Sequence, residues 1–338
     1  MPHGFKAALR RIVPRSLWMK MSGVKRTIVR SALRNSALKH GWISSYFNAW
    51  ELNAYGLNVT LAADYYSPLP DLRRLRKNRD RWTRPSELAG LKIDLAQMKG
   101  LWADVAASFQ AEFESLPSYA ELMKESYGEG YTPLDAMTLY FLLRHLRPHR
   151  YLEVGAGLST YYASCAARQN LAEGQPMAIT CIEPFPHAKL KSLAGIDLVE
   201  KDAQEVDCSL FEGLSAGDVL FIDSTHALKI DGDVSYLYLE ILPRLNKGVV
   251  VHVHDVPFPY NTPFPAETWV FEREWPVFWT EAMLLQAFLC HNSEFQIRLS
   301  LPFIRFKDEE FLRQSVSGYD HRKGTGPDTF SSIWLERI

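Results

Sequence analysis

The chain of 338 residues lacks several features that would assign a protein to a class at once. No apolar run reaches the roughly 18–20 residues that a membrane-spanning helix needs, and the first stretch has no uninterrupted apolar segment typical of a secretory signal. The four cysteines, Cys165, Cys181, Cys208 and Cys290, lie too far apart for a zinc motif or a CxxC redox pair. We therefore expect a cytoplasmic protein with reduced thiols that does not cross a membrane.

Acidic residues are missing from the beginning of the chain. Residues 1–50 contain ten Lys and Arg but no Asp or Glu, and residues 51–84 contain seven basic against four acidic side chains. Because the whole chain has a formal net charge of −1, residues 85–338 must carry an excess of 14 acids. This asymmetry indicates that the two parts of the chain have different roles.

Apolar and basic residues alternate at helical spacing over residues 4–40, which predicts a basic amphipathic helical extension over residues 1–50. Trp18 and several aliphatic residues favour an anionic membrane surface as its partner, which would place the protein at the inner face of a membrane. A transit peptide and a helix packed on the acidic body or on a second subunit of a homo-oligomer stay open. Nucleic acid is the less favoured partner.

Residues 51–115 are interpreted as a linker and helical cap. Proline and turn residues over 60–95 predict an extended connector, and residues 92–126 have a helical pattern. Thr132 precedes Pro133 and Asp135, which predicts a capped helix that runs to about Leu146.

Residues 116–338 read as an α/β domain. Short Val-, Ile- and Leu-rich runs alternate with helical stretches, which indicates a parallel sheet covered by helices on both faces. The predicted strands are 150–154, 178–183, 197–200, 218–223, 248–254, 295–301 and 331–337, and the predicted helices are about 159–172, 187–194, 233–245 and 278–291.

A glycine-rich segment lies where the first of these strands becomes a helix. Gly155 and Gly157 allow a sharp turn and a close approach of the backbone to a ligand at the helix N-terminus. The dinucleotide fingerprint requires a third glycine where this chain has Thr160, and this speaks against a nicotinamide or flavin cofactor.

Acidic residues follow four successive strands of the predicted sheet. They are Glu183, Asp202, Asp223 and Asp255. Because the carboxyl ends of parallel strands meet at one edge of a sheet, these acids are expected to line one crevice. Glu183, at the end of the second strand, can accept both hydroxyls of a ribose.

These residues resemble the class I S-adenosylmethionine-dependent methyltransferases, and most of all the bacterial small-molecule and sugar O-methyltransferases. The resemblance covers about residues 115–300 and implies a Rossmann-like, mostly parallel seven-stranded sheet, beside the helical N-terminal extension. It implies S-adenosylmethionine as the cofactor, with Glu183 on the ribose and the Asp202-Ala203 pair beside the adenine. The cofactor-binding residues expected from it are Glu153, Gly155, Gly157, Ser159, Thr160, Glu183, Asp202, Ala203 and Asp223.

The same resemblance places chemistry at the ends of the fourth and fifth strands. His226 or His254 is expected to be the general base, with Asp255 or Asp223 as its orienting carboxylate. His252, on the same strand face as His254 but further inside the sheet, is expected to be a hydrogen-bonded core residue. We expect catalysis without a metal; a metal, if present, would bind Asp223, His254 and Asp255, where a histidine ligand favours an ion softer than Mg²⁺.

The acceptor pocket is expected among aromatic residues in the loops above this edge, and a proline-rich loop over 256–276 is expected to form its wall or lid. The expected reaction is O-methylation of a sugar, glycolipid or phenolic small molecule. A catalytically silent scaffold in an envelope or polysaccharide assembly and a related enzyme with non-methyl chemistry, such as hydroxylation, are the alternatives. The aromatic candidates are Tyr65, Tyr66, Tyr127, Tyr131, Phe258, Tyr260 and Trp269.

Overall fold

The computed structural model describes residues 65–124, 131–319 and 331–338. The chain divides into two compact units, Met1–Trp82 and Thr83–Ile338. In the first unit, residues Leu72–Lys77 form helix α1 and Arg79–Trp82 form helix α2. The prediction of an extended connector is therefore wrong for these residues, because the Asp71 side chain caps α1 by accepting the Arg73 N–H. The predicted basic extension over 1–50 lies outside the described residues.

The second unit begins with three helices, α3 (Leu95–Glu114), α4 (Tyr119–Lys124) and α5 (Pro133–Leu146). The predicted cap of α5 is confirmed: the Thr132 hydroxyl accepts the Asp135 N–H at 3.1 Å, and Pro133 opens the helix. Helix α3 packs against α5, so α3 contributes to the same hydrophobic core. The predicted domain boundary between residues 115 and 116 stays a prediction.

A seven-stranded sheet forms the centre of the second unit, as predicted, with strand order β3-β2-β1-β4-β5-β7-β6. Strands β1 to β5 are parallel, and β7 is antiparallel to β5 and β6. The strands are β1 (Arg150–Val154), β2 (Ala178–Ile182), β3 (Ile196–Val199), β4 (Val219–Ile222), β5 (Val250–Val253), β6 (Phe295–Ser300) and β7 (Ile333–Arg337).

Helices connect the strands and cover the sheet, and most lie close to the predicted positions. They are α6 (Leu158–Ala172), α7 (Ala188–Lys191), α8 (Cys208–Glu212), α9 (Asp233–Tyr236), α10 (Glu281–Leu289) and α11 (Leu301–Ser315). Short irregular turns complete the set, namely the 3₁₀ turns Ala203–Glu205 and Leu242–Arg244 and the π turns Leu237–Ile241 and Thr268–Glu272. Helix α11 was not predicted; the backbone of Asp308 leaves the helical conformation inside it, which interrupts its periodicity.

The central strands are buried on both faces, since helices pack above and below them. All four residues of β4 and all four of β5 are buried, as expected for parallel strands. Because β1, β2, β4 and β5 are parallel, their carboxyl ends come together at one edge of the sheet, where the predicted acids lie. Among the described residues, no helix is both long enough and apolar enough to span a bilayer.

Candidate functional site

The loop between β1 and α6 turns sharply at Gly155. This residue has φ +83°, in the left-handed region that glycine tolerates best, and its N–H donates to the Ile182 carbonyl at 2.9 Å. A Cβ at this position would lie 1.8 Å from the Asp223 carbonyl oxygen. Only glycine allows the loop to lie this close to the end of β4.

Four of the predicted cofactor residues support this loop from behind. Glu153 is fully buried on β1, and its carboxylate accepts hydrogen bonds from the hydroxyls of Ser159 and Thr160. The Thr160 hydroxyl also accepts the Gly157 N–H at 3.1 Å. Burial raises the pKa of Glu153 to about 7, although its hydrogen bonds act in the opposite direction. These residues shape the loop and do not line the cleft in front of it.

A cleft of about 390 Å³ opens in front of the glycine loop. Phe185, which the sequence analysis missed, projects here with 86% of its surface exposed; the only signal for it was its position two residues after Glu183. The predicted residues that line the cleft are Gly155, Glu183, Asp202, Ala203 and Asp223, and further lining residues are Phe185, Gln204, Thr225, Lys229 and Asp233.

His226 lies among carboxylates, one of which, Asp223, also lines the cleft. Its Nε2 is 3.2 Å from Asp223 Oδ1 and 3.4 Å from Asp255 Oδ2. Its Nδ1 is 2.8 Å from Oε2 of Glu281, a residue that the sequence analysis did not select. His226 and Asp255 both have positive φ, 57° and 55°, a costly conformation for residues with a Cβ that is concentrated at functional sites.

The carboxylates determine the protonation of this cluster. Burial alone would lower the pKa of His226, but the hydrogen bonds from Asp223 and Glu281 raise it to about 10. Burial would raise the pKa of Asp223, but the nearby imidazoles of His254 and His226 hold it below its ordinary value. The pKa of Asp255 is raised, first by burial. Without another ligand, the cluster therefore keeps a proton on His226 at neutral pH.

His254 occupies a different position from His226. Its Nδ1 is 3.2 Å from Asp223 Oδ1, and its Nε2 is 3.2 Å from the Ser331 hydroxyl and 3.4 Å from Asp135 Oδ2. Asp135 is fully buried, and the sequence analysis had treated it only as a helix-cap residue. Both ring nitrogens of His254 therefore contact protein groups, and one of these contacts is to Asp223.

Three groups of the cluster are spaced for a metal ion. Ligand atoms of Asp223, His226 and Asp255 all lie within 4.8 Å of one another. The histidine of this group is His226. The sequence analysis had instead named His254 together with Asp223 and Asp255 as the metal ligands. Asp135, Asp223, Asp255 and Glu281 supply four carboxylates against two imidazoles, so a cation would also reduce the negative charge.

His252 is a core residue, as predicted, but its expected hydrogen bonds are absent. Within the described part of the chain, neither ring nitrogen has a hydrogen-bond partner. The ring is stacked against Trp334, with centroids 4.0 Å apart, and against Phe221, at 4.5 Å. Burial lowers the pKa of His252 well below its ordinary value, so the ring is neutral and packs as an aromatic residue.

The predicted aromatic residues are only partly near this cluster. The buried ring of Tyr131 lies 4.8 Å from that of His254. The ring of Trp269 lies 4.9 Å from that of Trp279, which in turn lies 4.6 Å from the His226 ring. The other candidates do not contribute in this way: Phe258 is buried, Tyr260 stacks on Phe264, Tyr65 and Tyr66 belong to the first unit, and Tyr127 lies outside the described residues.

Comparison with known proteins found a match over the part of the chain that contains the glycine loop and His226. Residues 152–256, which run from β1 to the residue after Asp255, match the family described as "Methyltransferase domain". Residues 152–256 of the chain are thus similar to a methyltransferase domain. The sheet has seven strands and is mostly parallel, as the resemblance implied.

Individual relatives of the methyltransferase domain are distant. An uncharacterized protein of Archaeoglobus fulgidus is 26% identical over 161 residues, which cover 44% of this chain and 71% of the relative. Among solved structures, the methyltransferase PaMTH1 of Podospora anserina is 13% identical, with a TM-score of 0.36 over 80% of this chain and 99% of that one. The O-methyltransferase TomG of Streptomyces achromogenes is 15% identical, with a TM-score of 0.36 over 73% and 91%.

The resemblance implies S-adenosylmethionine as the cofactor, and the cleft has groups that fit it. Glu183 lines the cleft, and its carboxylate is held by the N–H groups of Phe185, at 2.8 Å, and Ala156, at 3.3 Å. A fixed carboxylate can accept hydrogen bonds from ribose hydroxyls. The exposed ring of Phe185 beside it offers a flat apolar surface to a purine.

Proposed function

We propose that the protein transfers the methyl group of S-adenosylmethionine to a hydroxyl oxygen of a sugar, glycolipid or phenolic small molecule. The observation that supports this most is the His226 cluster, which lies directly beyond the cofactor cleft and shares Asp223 with it. The cofactor supplies an activated methyl group when bound. The chain then has to hold the acceptor hydroxyl in line and remove its proton.

We propose that His226 accepts this proton in its neutral form, which only a small fraction of the protein carries at neutral pH because Asp223 and Glu281 raise the pKa of His226 to about 10. The side chains of Asp223 and Asp255 are 25% and 19% exposed beside it, so an acceptor hydroxyl can reach the cluster from the cleft. The His254 side chain is 1% exposed, against 7% for His226, and its Nε2 faces the fully buried Asp135. Asp223 and Asp255 orient the hydroxyl and stabilise the imidazolium that forms.

The test is methyl transfer from labelled S-adenosylmethionine to a panel of sugars, glycolipids and phenols, with detection of a product heavier by one methylene. His226→Asn should lower kcat by a factor of about 10²–10⁴ with little change in cofactor affinity. The matched control is His145→Asn, at an exposed position on α5, which should leave the rate unchanged. Cofactor binding without turnover on any acceptor would instead favour a catalytically silent scaffold, and a product with a different mass change would indicate non-methyl chemistry.

A second candidate mechanism uses a divalent cation on Asp223, His226 and Asp255, and it is favoured by the spacing of these three residues. A bound cation supplies a Lewis acid that lowers the pKa of the acceptor hydroxyl. Activity lost in EDTA and restored by Mn²⁺ or Mg²⁺ would support it. Full activity in EDTA, with a rate that rises with pH because only neutral His226 accepts a proton, would support the metal-free mechanism.

We further propose that residues 1–40 bind an anionic membrane surface and thereby place the methyltransferase domain near a membrane-associated acceptor. Ten basic residues without any acid in residues 1–50 support this. Flotation with vesicles of anionic phospholipid should recover the full chain and leave the chain without residues 1–40 behind. Equal flotation of both forms would contradict the proposal, and a low-salt binding assay with RNA would detect the nucleic-acid alternative.

A further inference from the structure

Glu281 is a buried carboxylate that contacts His226 and has no part in the proposed methyl transfer. It begins helix α10, 55 residues from His226 along the chain, and its residue exposure is 1%. A carboxylate loses its hydration in such a place, so its burial is unfavourable unless the charge is paired. The partner of Glu281 is His226, whose Nδ1 lies 2.8 Å from Oε2.

The backbone at Thr280 and Glu281 also forms hydrogen bonds to the main chain of His226. The carbonyl of His226 accepts the N–H of Thr280 at 2.8 Å and that of Glu281 at 3.1 Å. The Thr280 hydroxyl accepts the Leu228 N–H at 2.9 Å. The start of α10 therefore fixes both the main chain and the ring of His226, which stabilises the positive φ of 57° at this residue.

This contact determines which ring nitrogen is presented to the cleft. With Nδ1 engaged by Glu281, Nε2 is the nitrogen that lies beside Asp223 and Asp255. A ring turned over about χ2 would place Cδ2 where Nδ1 now contacts Glu281 and Cε1 where Nε2 now lies, so the Nε2 lone pair would point away from the acceptor. In catalytic triads, a buried carboxylate holds the histidine in one orientation in the same way, through Nδ1.

We propose that Glu281 is a positioning residue that holds His226 through Nδ1 and so directs Nε2 toward the reacting hydroxyl. This proposal rests on the proposed function of His226. It assigns the orienting role to Glu281, in addition to Asp223 and Asp255 on the other side of the ring. Trp279, with its ring 4.6 Å from that of His226, limits the space into which the ring could turn.

The first test does not depend on activity. A hydrogen-bonded, buried ring N–H gives a slowly exchanging downfield proton resonance. The wild-type protein in EDTA should show one that disappears in His226→Ala and also in Glu281→Leu. Glu281→Gln, whose amide oxygen still accepts, should retain it. The control Glu274→Leu, at an exposed position of the same segment, should retain it as well; persistence of the resonance in Glu281→Leu would overturn the proposal.

The second test uses the methyl-transfer assay. Glu281→Leu should lower kcat by about 10²-fold or more while the KM for S-adenosylmethionine changes less than about 3-fold. Glu281→Gln should have a kcat close to that of the wild type, because its amide oxygen still accepts the Nδ1 hydrogen bond. This variant provides the test if Glu281→Leu does not fold. In a His226→Ala background, Glu281→Leu should have almost no further effect, because both changes remove one unit. An equal loss in both backgrounds would overturn the proposal, whereas an absence of turnover in the wild type would contradict only the proposed function.

Discussion

Gly155, in the loop between β1 and α6, shows how closely this loop lies against the end of β4. Glu153, on β1, shows how the loop is supported from behind. Gly155 leaves no space for a Cβ, and Glu153 fills the interior behind the loop with a carboxyl group that receives two hydroxyl donors. Each makes a prediction that concerns a single side chain.

Gly155→Ala should abolish measurable binding of S-adenosylmethionine and destabilise the fold. The new methyl group would lie 1.8 Å from the Asp223 carbonyl, so the loop has to move away from the cleft. Gly174→Ala is the matched control, since Gly174 also has positive φ, 78°, but its Cβ would meet nothing within 4 Å. The control should cost only about 1 kcal/mol of conformational strain and keep its cofactor affinity. Calorimetric titration and urea unfolding measure both effects, and equal behaviour of the two variants would contradict this reasoning.

Glu153 should make the stability of the protein depend on pH. Its pKa is raised from 4.5 to about 7, so the folded state binds a proton that the unfolded state has released. The resulting stabilisation is complete below about pH 4.5 and is lost as the pH rises through about 7. Relative to Glu153→Gln, which does not titrate, the free energy of unfolding of the wild type should fall by about 2 kcal/mol from pH 5.5 to 8.5. A pH-independent difference between the two proteins would show that Glu153 is ionised throughout.

At the scale of secondary structure elements, a buried arginine joins three helices on one face of the sheet. Arg144 on α5 pairs with Glu112 on α3, at 2.6 Å, and it also bonds Asn170 on α6 and Glu173 directly after α6. Its side chain is 2% exposed. The same Glu173 pairs with Arg147, whose side chain is 46% exposed.

These two arginines should differ strongly in their contribution to stability. Arg144→Ala should lower the free energy of unfolding by about 1–3 kcal/mol, because it leaves the buried Asn170 and the half-buried Glu112 without their hydrogen bonds to the guanidinium. Arg147→Ala should lower it by less than about 1 kcal/mol, since water replaces an exposed ion pair at little cost. Urea unfolding of both variants gives the comparison, and a loss below about 1 kcal/mol for Arg144→Ala would show that the network is not stabilising.

The positions of the elements were largely predictable from the sequence, and the exceptions have local reasons. Strands β1, β2, β4 and β5 follow from continuous apolar runs, and α5 follows from its cap at Thr132. Helices α1 and α2 were missed because the high density of proline and turn residues there suggested extended chain. Residues Leu237–Ile241 form a π turn, which hydrophobic periodicity does not distinguish from an α-helix.

At the scale of the whole molecule, the near-neutral charge of −1 is a sum over unlike parts. The acidic part contains the cofactor cleft and the His226 cluster, while ten basic residues lie in residues 1–50, outside the region that matches the methyltransferase family. If the basic part serves as the proposed membrane contact, removal of residues 1–40 should change vesicle binding and leave turnover of a dissolved acceptor unaffected. A parallel loss of turnover would indicate that these residues take part in acceptor binding.

The sequence by itself determined the class of fold and the strand ends at which chemistry is expected, because strand and helix periodicity, glycine turns and strand-end acids are local properties of the chain. The cofactor was expected only from the resemblance to a known family. Only the tertiary structure separated His226 from His254, moved Glu153 behind the loop and brought Asp135 and Glu281 to the histidines. The physical reason is that these contacts join residues far apart in sequence and depend on backbone angles, such as the positive φ of His226 and Asp255, that packing of the whole domain imposes.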